Sequence, residues 1–167
     1  RCQKLRIILF FIDRSISPSV EAGLHRHDVW ELYCVTYGYG HRFAGDTLQP
    51  FSAGDVALIP PSMAHYWNYV PSSADAFGNI RYLMVAFSHS FVQNCVKVFP
   101  ELRNRLSGLA YPVDALKFGT STAVMIRDIL EKMAGMDELG RLCEMLRLLP
   151  VVFLSFDHTV AGKHVRM

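Results

Sequence analysis

The periodicity of this chain changes once, at Ser88, and that change limits the folds open to it. Before Ser88 lie short runs rich in β-branched and aromatic residues, cut by turn signals; after it, apolar residues recur every three or four positions. The first part predicts strands over 4–12, 29–37, 41–44, 47–51, 56–59, 65–70 and 80–87. Gly38-Tyr39-Gly40, Gly45-Asp46, Ala53-Gly54-Asp55 and Pro60-Pro61-Ser62 supply the turns between them. About six to eight short strands at this spacing predict an antiparallel sandwich or barrel.

The second part predicts helices. Ser88 or Ser90 can cap one that runs to Val98, and Pro100 can open a continuation to Leu106. Val124, Met125, Ile129, Leu130 and Met133 form an apolar stripe over 121–133, and Leu139, Leu142, Cys143, Leu146 and Leu149 repeat it. Gly135-Met136-Asp137 separates the two, with Asp137 as N-cap, and Pro150 is expected to kink or end the second helix. The fold class is therefore mainly β with C-terminal helices. Val151 to Phe156 adds apolar surface beyond what a last helix of a monomer usually shows, which predicts a homodimer through the C-terminal helices.

At 167 residues the chain suits one domain. Its net charge of +2 is too slight for direct nucleic-acid binding, and no window approaches the ~20 apolar residues of a membrane span. Cys2, Cys34, Cys95 and Cys143 are scattered, without a paired spacing, which predicts reduced thiols and a cytoplasmic location.

The chemistry concentrates around His25, His27, Glu31 and His65. On a strand, even spacing shares a face, so the first three can converge, with His65 joining from a later strand. Three nitrogens and a carboxylate are a set for a divalent metal (Zn, Fe, Mn or Ni), or a grip on a polar ligand. Tyr33 shares the Glu31 face, and Trp67 and Tyr69 share the His65 face, so Tyr33 and Trp67 complete a ligand-binding set. Trp30 and Tyr66 alternate to the opposite face and are packing residues. His41, His89, His158 and His164 lack comparable neighbours. No nucleophile elbow, phosphate loop or Ser-His-Asp arrangement is evident, so no catalytic residue is assigned.

The spacing His25-x-His27-x-x-x-Glu31-x-x-x-x-x-x-Gly38 resembles the first conserved motif of the cupin superfamily, and Gly54 through Pro60 to His65 resembles the second. Three positions depart from the pattern: Ser19 and Ser62 stand where glycines are usual, and Asn68 falls one place before the terminal Asn position, held by Tyr69. The resemblance implies a double-stranded β-barrel (jelly roll) with His25, His27, Glu31 and His65 pointing into its mouth.

The order of barrel then helical hairpin resembles the N-terminal sensor domain of AraC-family transcription regulators. So do the stretches from His25 to Leu32, Gly38-Tyr39-Gly40, and Gly54 to Trp67. That resemblance implies a cupin-like barrel sensor over 1–88 and a helical dimerisation region over 89–167 packed on it. It implies a small-molecule effector, typically a sugar, with no cofactor required. Residues 1–22 are a candidate effector-responsive arm, although Leu5 to Ile12 reads equally as the first barrel strand. Promoter DNA is expected only through a C-terminal helix-turn-helix domain absent from these residues. The competing expectation is a metal-dependent cupin enzyme of the dioxygenase or sugar isomerase type.

Overall fold

Strand β2, Trp30–Tyr37, is buried along nearly all its length and divides the interior in two. Alternation sends Trp30, Leu32 and Cys34 to one side and Tyr33 and Val35 to the other, where each set joins a separate apolar cluster. This explains why the segment reads as an unbroken apolar run: a strand with covered faces has no solvent side to mark. Full burial of each such side chain contributes about 1.5–3 kcal/mol.

The computed structural model describes residues 9–20 and 23–165. Around β2 lie β1 (Leu9–Ile16), β3 (Gly40–Ala44), β4 (Thr47–Phe51), β5 (Val56–Ile59), β6 (His65–Tyr69) and β7 (Ile80–Phe87). Two further strands, β8 (Ala115–Phe118) and β9 (His158–Gly162), come from the C-terminal part. All pairings are antiparallel; one sheet runs β1-β7-β2-β5-β8-β9, the other β4-β3-β6. Tyr33, Val35 and Ile59 of the larger sheet pack with Ala44, Phe51, Trp67 and Tyr69 of the smaller. The sheets also meet through glycines: a Cβ on Gly162 would run into the Ala44 carbonyl, and one on Gly45 into that of Lys163.

Helices α1 (His89–Val98), α2 (Pro100–Leu106), α3 (Thr120–Ala134) and α4 (Glu138–Leu154) contribute to the other cluster, on the far side of the larger sheet. Ser88 caps α1 through the Phe91 amide, and Asp137 caps α4 through the Gly140 amide, as the sequence predicts. Of the two expected outcomes at Pro150, an end is not seen, for α4 continues through it to Leu154. Leu148, Leu149, Val152 and Phe153 are all buried around it, and that packing outweighs the lost backbone bond. The same burial absorbs much of the apolar segment 151–156, leaving Phe156 almost fully exposed.

The antiparallel β part and the helices after it are as expected, with seven strands before Ser88. Strands β8 and β9 were not expected, because four- and five-residue segments beside longer helical stripes carry little period-two signal. The first strand extends to Ile16 and pairs throughout with β7, so 9–16 belongs to the sheet and is not a loose arm. The remainder of that arm at 1–8 and 21–22, the strand start at Lys4 and Cys2 lie outside the described residues. Among the described residues, no helix is long and apolar enough to cross a membrane.

Candidate functional site

The loop before β2 is laid across the start of β6, and this places the histidines. His25 and His65 exchange two backbone hydrogen bonds, 3.2 and 2.9 Å, as an isolated bridge, and the Ser62 amide donates to the His27 carbonyl at 2.6 Å. Ser62 holds φ at 67°, the left-handed region that glycine favours, at the position where the cupin pattern has glycine. The turn geometry therefore persists without the glycine. Even spacing predicts His25 and His27 on one strand with Glu31, but only Glu31 stands on β2 and the two histidines lie in the loop before it. Convergence comes from the bridge, with ring centroids of His25 lying 4.7 Å from His27 and 4.5 Å from His65.

His25, His27 and Glu31 edge a cavity of about 160 Å³. Its floor is the inward face of three neighbouring strands: Ile12 and Arg14 from β1, Tyr82 and Met84 from β7, Glu31 and Tyr33 from β2. Trp67 of β6 closes it from the smaller sheet, and His25 and His27 stand at the loop side. Tyr33 is stacked on Trp67, 3.8 Å between centroids, and on Tyr82 at 4.6 Å. Its hydroxyl bonds that of Tyr69 at 2.7 Å. The aromatic wall is thus braced by ring-on-ring contact.

Glu31 is the anchor of the polar side. Only 4% exposed, it accepts from His65 Nε2 at Oε2, 2.7 Å away, and pairs with His27 Nε2 at Oε1, 3.3 Å away. Burial pushes its carboxyl up, but the hydrogen bond from His65 and the charges of His65, His27 and His25 outweigh that and hold it below its ordinary value. His65, 1% exposed, sits behind Glu31 and off the cavity wall, with Nδ1 donating to the Met63 carbonyl at 2.8 Å. His27 contributes less, since its side chain is half exposed.

The donor set also fits a small divalent cation. Candidate ligand atoms of His25, Glu31 and His65 all lie within 4.8 Å of one another. His25 Nδ1 donates to the Gly23 carbonyl at 2.6 Å, as His65 Nδ1 does to Met63, which leaves His25 Nε2 free to coordinate, whereas His65 Nε2 would give up its hydrogen bond to Glu31 to do so. Backbone partners of this kind orient metal-binding imidazoles. His27, expected as a fourth ligand, is outside that triad.

All six residues singled out from sequence gather here, five on the cavity wall and His65 behind Glu31. Ile12, Arg14, Tyr82 and Met84 were missed. Alternation alone puts Ile12, Arg14 and Ile16 on one face, but nothing local says that β1 and β7 lie beside β2. His89, read as without a functional neighbour, accepts a 3.2 Å hydrogen bond from the Trp30 indole on the helix side of the sheet.

The family model for the AraC-like ligand binding domain matches residues 15–147. No curated protein matches the chain. Among solved structures, a cupin 2 conserved barrel domain protein from Salinispora arenicola is 22% identical, with 55% of this chain and 72% of that one covered and a TM-score of 0.41. Oxalate decarboxylase from Bacillus subtilis is 19% identical over 53% of this chain, with a TM-score of 0.41; the match spans only 23% of that chain. ToxT from Vibrio cholerae is 8% identical, with 89% of this chain and 58% of that one covered and a TM-score of 0.45. At these identities the likeness is one of fold alone.

Proposed function

This chain belongs to the family of AraC-like ligand binding domains, and on that premise we propose that it is the effector-sensing and dimerisation part of a transcription regulator. The observation that carries the reading is the polar cavity between the sheets, walled by Glu31, His25 and Arg14 against the Tyr33–Trp67 stack. A small polar molecule of the sugar type or similar enters there. Its volume is modest, roughly half the low end of the ~300–1,000 Å³ usual for drug-sized ligands.

Residues 9–88 form the sensing half, and the helices form the dimerising half. Val124 and Met125 on α3, with Leu139 and Leu142 on α4, retain exposed apolar surface that a second copy covers. DNA is contacted through a separate helix-turn-helix domain, and effector acts by shifting the population of dimer arrangements. Moving such an equilibrium from 1:99 to 99:1 takes about 5.5 kcal/mol of differential binding.

A thermal-shift screen of small polar molecules tests the reading. It is supported by a hit that Glu31→Ala or Arg14→Gln abolishes, and it falls if every hit survives both changes. The second reading, a metal-dependent cupin enzyme, is favoured by the His25–Glu31–His65 triad. There the three side chains would hold the cation, which would supply Lewis-acid chemistry at the cavity wall. Elemental analysis separates the two: stoichiometric Zn, Fe, Mn or Ni that is lost in His25→Ala favours the enzyme, and its absence from folded protein discards it.

A further inference from the structure

The polar groups of the cavity are unevenly committed. Glu31, its one carboxylate, has both oxygens engaged by His65 and His27. What is left uncommitted is mostly donor. Arg14 lies on the inward face of β1 between Ile12 and Ile16, opposite Tyr82, and makes no ion pair among the described residues. Its neighbour Asp13 alternates to the other side, where Arg81 takes both its oxygens at 3.0 Å. The Trp67 indole N–H is buried and has no hydrogen-bond partner among the described residues. Against these stand two acceptor nitrogens, His25 Nε2, left free because Nδ1 donates to Gly23, and His27 Nδ1, whose Nε2 faces Glu31.

A guanidinium is always charged, offers only donors, and fits the two oxygens of a carboxylate in a planar fork. A buried indole N–H without an acceptor is a standing cost that a ligand oxygen removes. A neutral polyol needs acceptors as well as donors, and this wall supplies few. A cavity this small brings one ligand against both Arg14 and Trp67.

We propose that the molecule received in this cavity is a small carboxylate, its anionic end bound by Arg14 and its second polar group met by the Trp67 indole N–H. The proposal rests on the reading of the cavity as the effector site, and within the small polar molecules it favours an acid over a neutral sugar. An inward arginine near the open edge of β1 also discourages edge-to-edge strand pairing, and that role alone predicts no ligand preference.

Titration calorimetry at constant ionic strength distinguishes the two. The probes are lactate and malonate, their amides lactamide and malonamide, and the neutral polyols glycerol and arabinose. Lactate or malonate is expected to bind and its amide not to. Arg14→Gln is expected to weaken the carboxylate by about 10- to 100-fold, with Arg14→Lys intermediate. Arg14 is exposed on an outer strand, so both variants should fold, which circular dichroism checks. The proposal is overturned if neither carboxylate binds, if amides or polyols bind as tightly, or if Arg14→Gln leaves affinity unchanged. A polyol that binds and is lost in Glu31→Ala would end the carboxylate proposal while leaving the effector reading standing.

Discussion

Replacing Glu31 by Gln keeps the shape of the side chain and removes its charge, so it isolates what the buried carboxylate contributes. The 2.7 Å hydrogen bond from His65 is charge-assisted and shielded, a type worth about 1.5–3 kcal/mol. The His27 pair is half exposed and adds at most about 1 kcal/mol. The glutamine oxygen still accepts one bond, so the net loss at neutral pH should be about 2–3 kcal/mol. For a domain of this size that lowers Tm by about 4–12 °C. The pH dependence has a definite sign. Glu31 titrates lower in the folded state than its ordinary value of 4.5, so its contribution is fully present above 4.5. It is lost as pH falls through the depressed folded value. Urea melts of both proteins, from neutral pH downward, should show a gap that narrows in acid. Equal stability at neutral pH, or a gap that does not shrink in acid, would refute the reasoning.

Three further outcomes follow from the same structure. Arg42 is 1% exposed and pairs with Asp55 at 2.7 Å; Arg42→Leu leaves that buried carboxylate with Lys117 alone and should cost about 3 kcal/mol in denaturant melts. Ser62→Gly should stabilise by about 0.5–1 kcal/mol, because relief of the left-handed conformation exceeds the added unfolded-state entropy; a lower Tm would contradict the φ of 67°. Burial pushes the Cys34 thiol up to about 12 whereas Cys143 is exposed, so mass spectrometry after mild alkylation should find Cys143 modified and Cys34 protected until unfolding.

Much of the β part was legible because its turns and its alternation are local. Thr47–Phe51, Val56–Ile59 and Ile80–Phe87 form strands at their predicted bounds, the first two opened by the turns Gly45-Asp46 and Gly54-Asp55. The site's polar residues were legible from spacing, though for the wrong local reason: His25 and His27 reach Glu31 through a backbone bridge to His65, which is a long-range contact. Arg14 and Tyr82 stayed hidden because strand order is a property of the whole chain, and β1-β7-β2 brings together residues almost seventy positions apart. Pro150 does not end α4 because propensity weighs one residue, whereas four buried neighbours hold the helix together across it.

The central claim is that the cavity between the sheets holds the ligand, and the chain carries its own reporter. It has two tryptophans, so an amide-type ¹H–¹⁵N spectrum has two indole signals. Trp67 lines the cavity, and Trp30 is bonded to His89 on the helix side. Titrating a ligand identified by the screen should move the Trp67 indole signal with saturable dependence and leave that of Trp30 in place. A ligand that binds without moving Trp67, or that moves Trp30 alone, would contradict the account.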